Sequence, residues 1–136
     1  MITLPPWSIE VTPTLVIAGA LATRDFQDVH HDRERAVARG SKDIFLNILT
    51  TSGLVQRYVL DWASPTSVIC YISLRLGVPC YAGDTLTFTG SVRSADVDVD
   101  VDVTEADVTT VDVTTVDVVG TNSLGAHVTA TVGIRP

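Results

Sequence analysis

Between Ala22 and Ala36 the chain reads Ala-Thr-Arg-Asp-Phe-Gln-Asp-Val-His-His-Asp-Arg-Glu-Arg-Ala, and in it Asp25 and His30 stand five residues apart. No apolar periodicity runs through this block, so a surface-facing loop with short helical turns is expected, of the kind that often carries function. A loop that curls would bring the carboxylate and the imidazole onto one small molecule. Such a pair suits conjugate hydration. A base takes a proton from water as its oxygen attacks the β-carbon, and an acid protonates the α-carbon. Asp25 and His30 can share both tasks around one bound water, and their roles are interchangeable at this level.

Hydration of a thioester-conjugated double bond also builds negative charge on the carbonyl oxygen. The free N–H groups and dipole at a helix start answer that need. The segment after the loop, Gly40 to Ile44, is the candidate, with Gly40 and Asp43 as its marked residues. Ser41 suits an N-cap, and Asp43 in a first turn suits the positive end of the dipole. A helical stripe of Ile44, Ile48, Val55, Val59 and Trp62, widened by Phe45, Leu49 and Tyr58, predicts one long helix from Ser41 to about Ala63. Ser64-Pro65 ends it.

The elements that position this loop and helix are mostly strands. Thr14 to Ala18 is a short apolar run that reads as a strand, and Pro5, Pro6 and Pro13 forbid a long helix there. Thr66–Val78, Thr85–Arg93, about Thr110–Asn122 and Ala126–Ile134 alternate and are rich in β-branched residues. Strand, loop, long helix and then a meander is an α+β pattern, with the helix embraced by an antiparallel sheet.

Between these strands lies an acidic tract. Asp96, Asp98, Asp100, Asp102, Glu105, Asp107, Asp112 and Asp117 occur with no Lys or Arg among them. Valines at 97, 99, 101 and 103 alternate with the acids, but a wholly acidic strand face repels itself. A solvated insertion at about 96–110 is expected, with no Gly turn or terminal Glu of a calcium loop.

At 136 residues the chain is expected to be one domain, 1–136, large enough to own a core. A net charge of −7 excludes a nucleic-acid partner of the usual basic kind. No apolar run reaches the roughly 20 residues of a membrane-spanning helix, and Met-Ile-Thr-Leu-Pro-Pro-Trp has no signal-peptide character. The expected location is the cytoplasm, with no membrane partner, and Cys70 and Cys80 are expected as free thiols. His31 is read as exposed or bonded to the loop, Asp32 as a cap or brace, and His127 as structural. Arg75 is read either as a contact for CoA phosphate or as half of a sheet-face ion pair.

The loop resembles the MaoC-like, or hydratase-2, motif D-x-N-P-x-H-x-D followed by a small residue. Asp25, His30, Asp32 and Ala36 take the matching places, while Gln27 and Asp28 stand where the motif has Asn and Pro. The motif's His-Gly at the helix start is replaced by Lys42-Asp43 in this reading. Further likeness, at 20–32, 40–45, 53–59, 74–79 and 127–132, is to the small MaoC-like subunits of actinobacterial steroid side-chain hydratases. The resemblance implies a hot-dog fold and hydration of an enoyl-CoA, with Asp25 and His30 catalytic and no cofactor, the CoA thioester being substrate. It also implies a heterotetramer with a larger subunit carrying a MaoC-like and a DUF35 domain. In such an assembly the partner completes the CoA site. Two rivals remain: a hot-dog acyl-CoA thioesterase using Asp43 as a helix-borne carboxylate, and a non-catalytic subunit of a hydratase complex.

Overall fold

The computed structural model describes residues 1–93 and 112–136; the acidic insertion at about 96–110 lies outside the described residues. In chain order the elements are β1 (Thr3–Glu10), α1 (Pro13–Ala22), a 3-10 turn (Asp28–His30), α2 (Arg33–Ala38), α3 (Ile48–Trp62), β2 (Val68–Leu76), β3 (Thr85–Val92), β4 (Thr114–Asn122) and β5 (Gly125–Arg135). The strands form one sheet in the order β1-β3-β4-β5-β2, and each pairing is antiparallel. The hot-dog α+β architecture expected from the sequence is the one observed.

The apolar run expected as a strand, Thr14–Ala18, is instead part of the first half of α1. Thr12 caps it by accepting the Leu15 N–H at 3.1 Å, and Pro13 starts it. Pro at a helix start loses nothing, because the missing N–H had no intrahelical acceptor. A ten-residue helix this apolar shows no clear face, so periodicity could not separate it from a strand.

The opening stretch, whose prolines forbid a long helix, is β1, an edge strand. Its pairing with β3 shifts register between Leu4 and Trp7, so Pro5 and Pro6 sit at an irregularity on the sheet edge, where a missing donor costs least.

α3 is also shorter than expected. Gly40, at φ +92°, ends α2, and residues 44–46 are extended. Ala82 N–H donates to the Ile44 carbonyl at 3.0 Å, Phe45 N–H to Val29 at 3.1 Å and Leu46 N–H to Cys80 at 3.0 Å. Backbone committed to these partners is unavailable for a helix, which therefore starts at Ile48.

α3 lies on the sheet by one face. Leu54, Val55, Tyr58 and Val59 are buried in one cluster with Leu86, Phe88, Val116, Val118, Val128 and Val132, and Thr51 is buried on the same face. The Tyr58 and Trp7 rings each stack on Phe88 at 5.6 Å. Leu49 and Leu60 on the opposite face remain exposed, so the helix is embraced on one side only.

A polar tie runs through this core. His127, buried on β5, has Nδ1 2.7 Å from the Val78 carbonyl and Nε2 2.9 Å from the Thr51 hydroxyl of α3. The carbonyl can only accept, so Nδ1 carries the hydrogen and Nε2 accepts from Thr51. Its structural role is as expected. Burial pushes the His127 pKa below its ordinary 6.5, against a smaller opposing effect of the Val78 bond. The folded protein thus favours the neutral ring, while the unfolded chain takes up a proton near its ordinary value. This contribution to stability is intact above 6.5 and is lost as pH falls from there toward the lowered folded-state value. Urea midpoints measured from about pH 8 to about pH 5 should fall more steeply for the native chain than for His127→Gln. Equal slopes would contradict the buried neutral ring.

Candidate active site

Asp25 is placed by the way α1 ends. Thr23 closes the helix, Arg24 turns into the left-handed region at φ +56°, and Asp25 follows. The Arg24 N–H donates to Leu21 at 3.1 Å and the Asp25 N–H to Ala20 at 2.9 Å, the paired bonds of a Schellman cap. Arg24 is the one non-glycine residue at positive φ among the described residues. The Asp25 backbone is thereby fixed to the helix.

His30 is placed by the 3-10 turn and by α2. Its own N–H donates to Gln27 at 3.0 Å, and Asp28 at the turn's start pairs with Arg39 at 3.0 Å and Arg35 at 3.7 Å. Asp32 caps α2 by accepting the Arg35 N–H at 3.2 Å, the expected role. His31 reaches back to the Phe26 carbonyl at 2.8 Å, also as expected.

The His30 ring is 7% exposed, edge-on to Phe45 at 4.8 Å, with Nδ1 2.8 Å from the Phe45 carbonyl. That carbonyl is again an obligate acceptor, so Nδ1 holds the hydrogen and the neutral ring turns a bare Nε2 outward. Nε2 faces Asp25 Oδ2 at 3.6 Å. The two predicted residues are brought together. With the ring neutral these are two acceptors that do not bond each other, and a water seated beside them could donate to both and keep its lone pairs free.

Asn47 completes the group and was absent from the sequence reading. Its Oδ1 accepts the Thr50 N–H at 3.2 Å, capping α3, and its Nδ2 donates to Thr23 Oγ1 at 2.8 Å and Asp25 Oδ2 at 3.2 Å. The available signal was Asn, a strong N-cap type, directly before Ile48-Leu49-Thr50. Ser41 competed for the same role.

The helix start does adjoin the pair, but not through the residues expected. Gly40 is the left-handed residue ending α2: its N–H donates to Val37 at 3.0 Å and that of Ser41 to Ala36 at 3.0 Å. Asp43 lies in the extended loop, where its Oδ1 takes the Ile44 N–H at 2.7 Å and sits 3.6 Å from Arg33. Neither Gly40 nor Asp43 belongs to α3. The helix N–H groups left without intrahelical acceptors are those of Ile48 and Leu49. Asp43 is not helix-borne and the first turn of α3 holds no acidic residue, which removes the basis of the thioesterase reading.

Other expectations resolve simply. Cys70 is exposed and Cys80 buried, both as free thiols. Burial raises the Cys80 pKa. Arg75 is exposed on β2 opposite Thr129, with no ion-pair partner among the described residues.

A hot-dog sheet, a helix start and an Asp/His pair beside it define the class of MaoC-like hydratases and dehydratases. No family model matches the chain. It is 56% identical over 130 residues, 95% of this chain and 89% of the relative, to the 3-oxo-4,17-pregnadiene-20-carboxyl-CoA hydratase beta subunit of Mycobacterium tuberculosis (strain ATCC 25618 / H37Rv). A chain of the ChsH1-ChsH2 complex from Mycobacterium tuberculosis superimposes with a TM-score of 0.83 at 54% identity, covering 98% of this chain and 94% of that one. The (R)-hydratase from A. caviae involved in PHA biosynthesis shares the fold, with a TM-score of 0.80 at 17% identity over 98% and 93% of the two chains. This chain belongs to the family of MaoC-like enoyl-CoA hydratase subunits.

The left-handed Arg24 yields a test of how the site is held. Arg24→Gly removes a backbone cost of about 1 kcal/mol, offset in part by greater freedom of the unfolded chain, and should be neutral to mildly stabilising. Arg24→Val, β-branched at the same φ, should destabilise by more than about 1 kcal/mol. Urea denaturation of both variants checks this; equal losses would contradict the assignment.

Proposed function

We propose that this chain supplies the acid/base pair of a hydratase that adds water across the α,β double bond of a steroid side-chain enoyl-CoA. The observation that carries the reading is the bare His30 Nε2 facing Asp25 Oδ2 at 3.6 Å, with Nδ1 tied to Phe45. Water held between them attacks the β-carbon while Nε2 takes one of its protons. The imidazolium beside the Asp25 carboxylate then returns that proton to the α-carbon, so hydroxyl and hydrogen both come from one water. The N–H groups of Ile48 and Leu49 are the donors for charge on the thioester oxygen. The steroid acyl group is supported by the 56% identity to the pregnadiene-carboxyl-CoA hydratase subunit.

The active form is a heterotetramer with a larger MaoC-like subunit. Support comes from the complex formed by the similar mycobacterial chain and from the two sheet edges, β1 and β2, which no strand among the described residues covers. Among the described residues no helix is long and apolar enough to cross a membrane. The CoA substrate class supports a cytoplasmic location.

In the assembled complex, Asp25→Asn and His30→Ala should each lower hydration of a steroid enoyl-CoA by roughly 10²-fold or more, the usual scale for lost acid/base catalysis. Their losses should not add, because both residues act on one water. Normal assembly with near-native turnover in both variants would assign the chemistry to the partner subunit.

A further inference from the structure

Asn47 is 1% exposed, and its amide is fully employed. Its oxygen takes the Thr50 N–H of α3, and its two N–H groups go to Thr23 at the end of α1 and to Asp25 Oδ2. The amide's orientation is settled by chemistry, because the reverse would set its oxygen against a carboxylate and its NH2 against the Thr50 N–H. Thr23 cannot substitute as the donor to Asp25, since its hydroxyl hydrogen is directed to the Gly19 carbonyl at 2.8 Å.

The contact depends on how closely the two helices meet. A Cβ on Gly19 would collide with the Thr50 side chain, so α1 and α3 touch there. One turn further along α1 lies Thr23, and one turn back along α3 lies Asn47. The same approach sets the end of α1, which carries Asp25, against the start of α3.

We propose that Asn47 is the positioning residue of the hydration reaction: its amide holds Asp25 Oδ2 at the orientation that faces His30 Nε2. This rests on the assignment of Asp25 and His30 as the reacting pair. Asp25 has one other recorded restraint on its side chain, a 3.4 Å bond from the Gln27 N–H to Oδ1. Oδ2, the oxygen turned to His30, has Asn47 as its recorded hydrogen-bond donor among the described residues.

The helix-capping role and the positioning role of Asn47 can be separated. Serine caps helices about as well as asparagine, but it presents no amide N–H to Asp25. Asn47→Ser should therefore assemble with the partner subunit and melt near the native temperature. Steady-state hydration of a steroid enoyl-CoA by the complexes should show kcat reduced roughly 10- to 100-fold, the scale of a lost bond to a charged group, with KM little changed. Asn47→Ser added to Asp25→Asn should cost little beyond Asp25→Asn alone, since the carboxylate it holds is gone.

Native kcat in the assembled Asn47→Ser complex would overturn the proposal. So would a loss confined to KM, an undiminished loss on the Asp25→Asn background, or loss of assembly with unchanged turnover per assembled complex. If Asp25→Asn itself kept native turnover, the hydratase pair would fall, and this role with it. An inactive Asp25→Asn beside a fully active Asn47→Ser would remove only this proposal.

Discussion

The hydrogen bond from His30 Nδ1 to the Phe45 carbonyl governs the site. It decides which ring nitrogen holds the hydrogen, and so leaves Nε2 free as a base when the ring is neutral. It also sets the ring's direction, together with the edge-on Phe45 side chain. Without it the imidazole could present Nε2–H to Asp25 and form a closed pair in which no attacking water has a place.

For Phe45 to offer that carbonyl, its backbone cannot be helical. Extended residues 44–46, bonded to Val29, Cys80 and Ala82, give the loop's far wall. They delay α3 until Asn47, whose side chain caps the helix and reaches Asp25 in the same act. The helix that covers the core and the loop that carries the pair are therefore joined at one residue. His127 provides a second such tie deeper in the sheet, where it is held neutral by burial and bonded to α3 through Thr51.

The legible parts of the sequence were those with strong local signals. Alternation in Ser73-Leu74-Arg75-Leu76 and His127 to Val132 marked β2 and β5, and the polar block around Asp25 and His30 marked the loop. The misread parts depend on distant partners. Nothing local shows that Ile44 and Leu46 will bond to the 80–82 segment, so Ser41 looked like the cap and Asn47 was passed over. Pro5 and Pro6 ruled out a long helix, but their place in an edge strand, at a register shift, is a property of the sheet. α1 was ambiguous for want of a polar face. Whether Arg75 would find an ion-pair partner on the sheet, one of its two readings, also depended on neighbours that the sequence could not align.

The tautomer of His30 decides whether the pair can activate water. Long-range proton–nitrogen NMR correlation spectra of the ring, recorded in the assembled complex at a pH where it is neutral, report it directly. A protonated Nδ1 and a bare Nε2 are expected, reversed neither by Asn47→Ser nor by Asp25→Asn, because the Phe45 carbonyl imposes that tautomer. A neutral ring protonated at Nε2 would place the hydrogen against Asp25, deny the base its lone pair, and contradict the account.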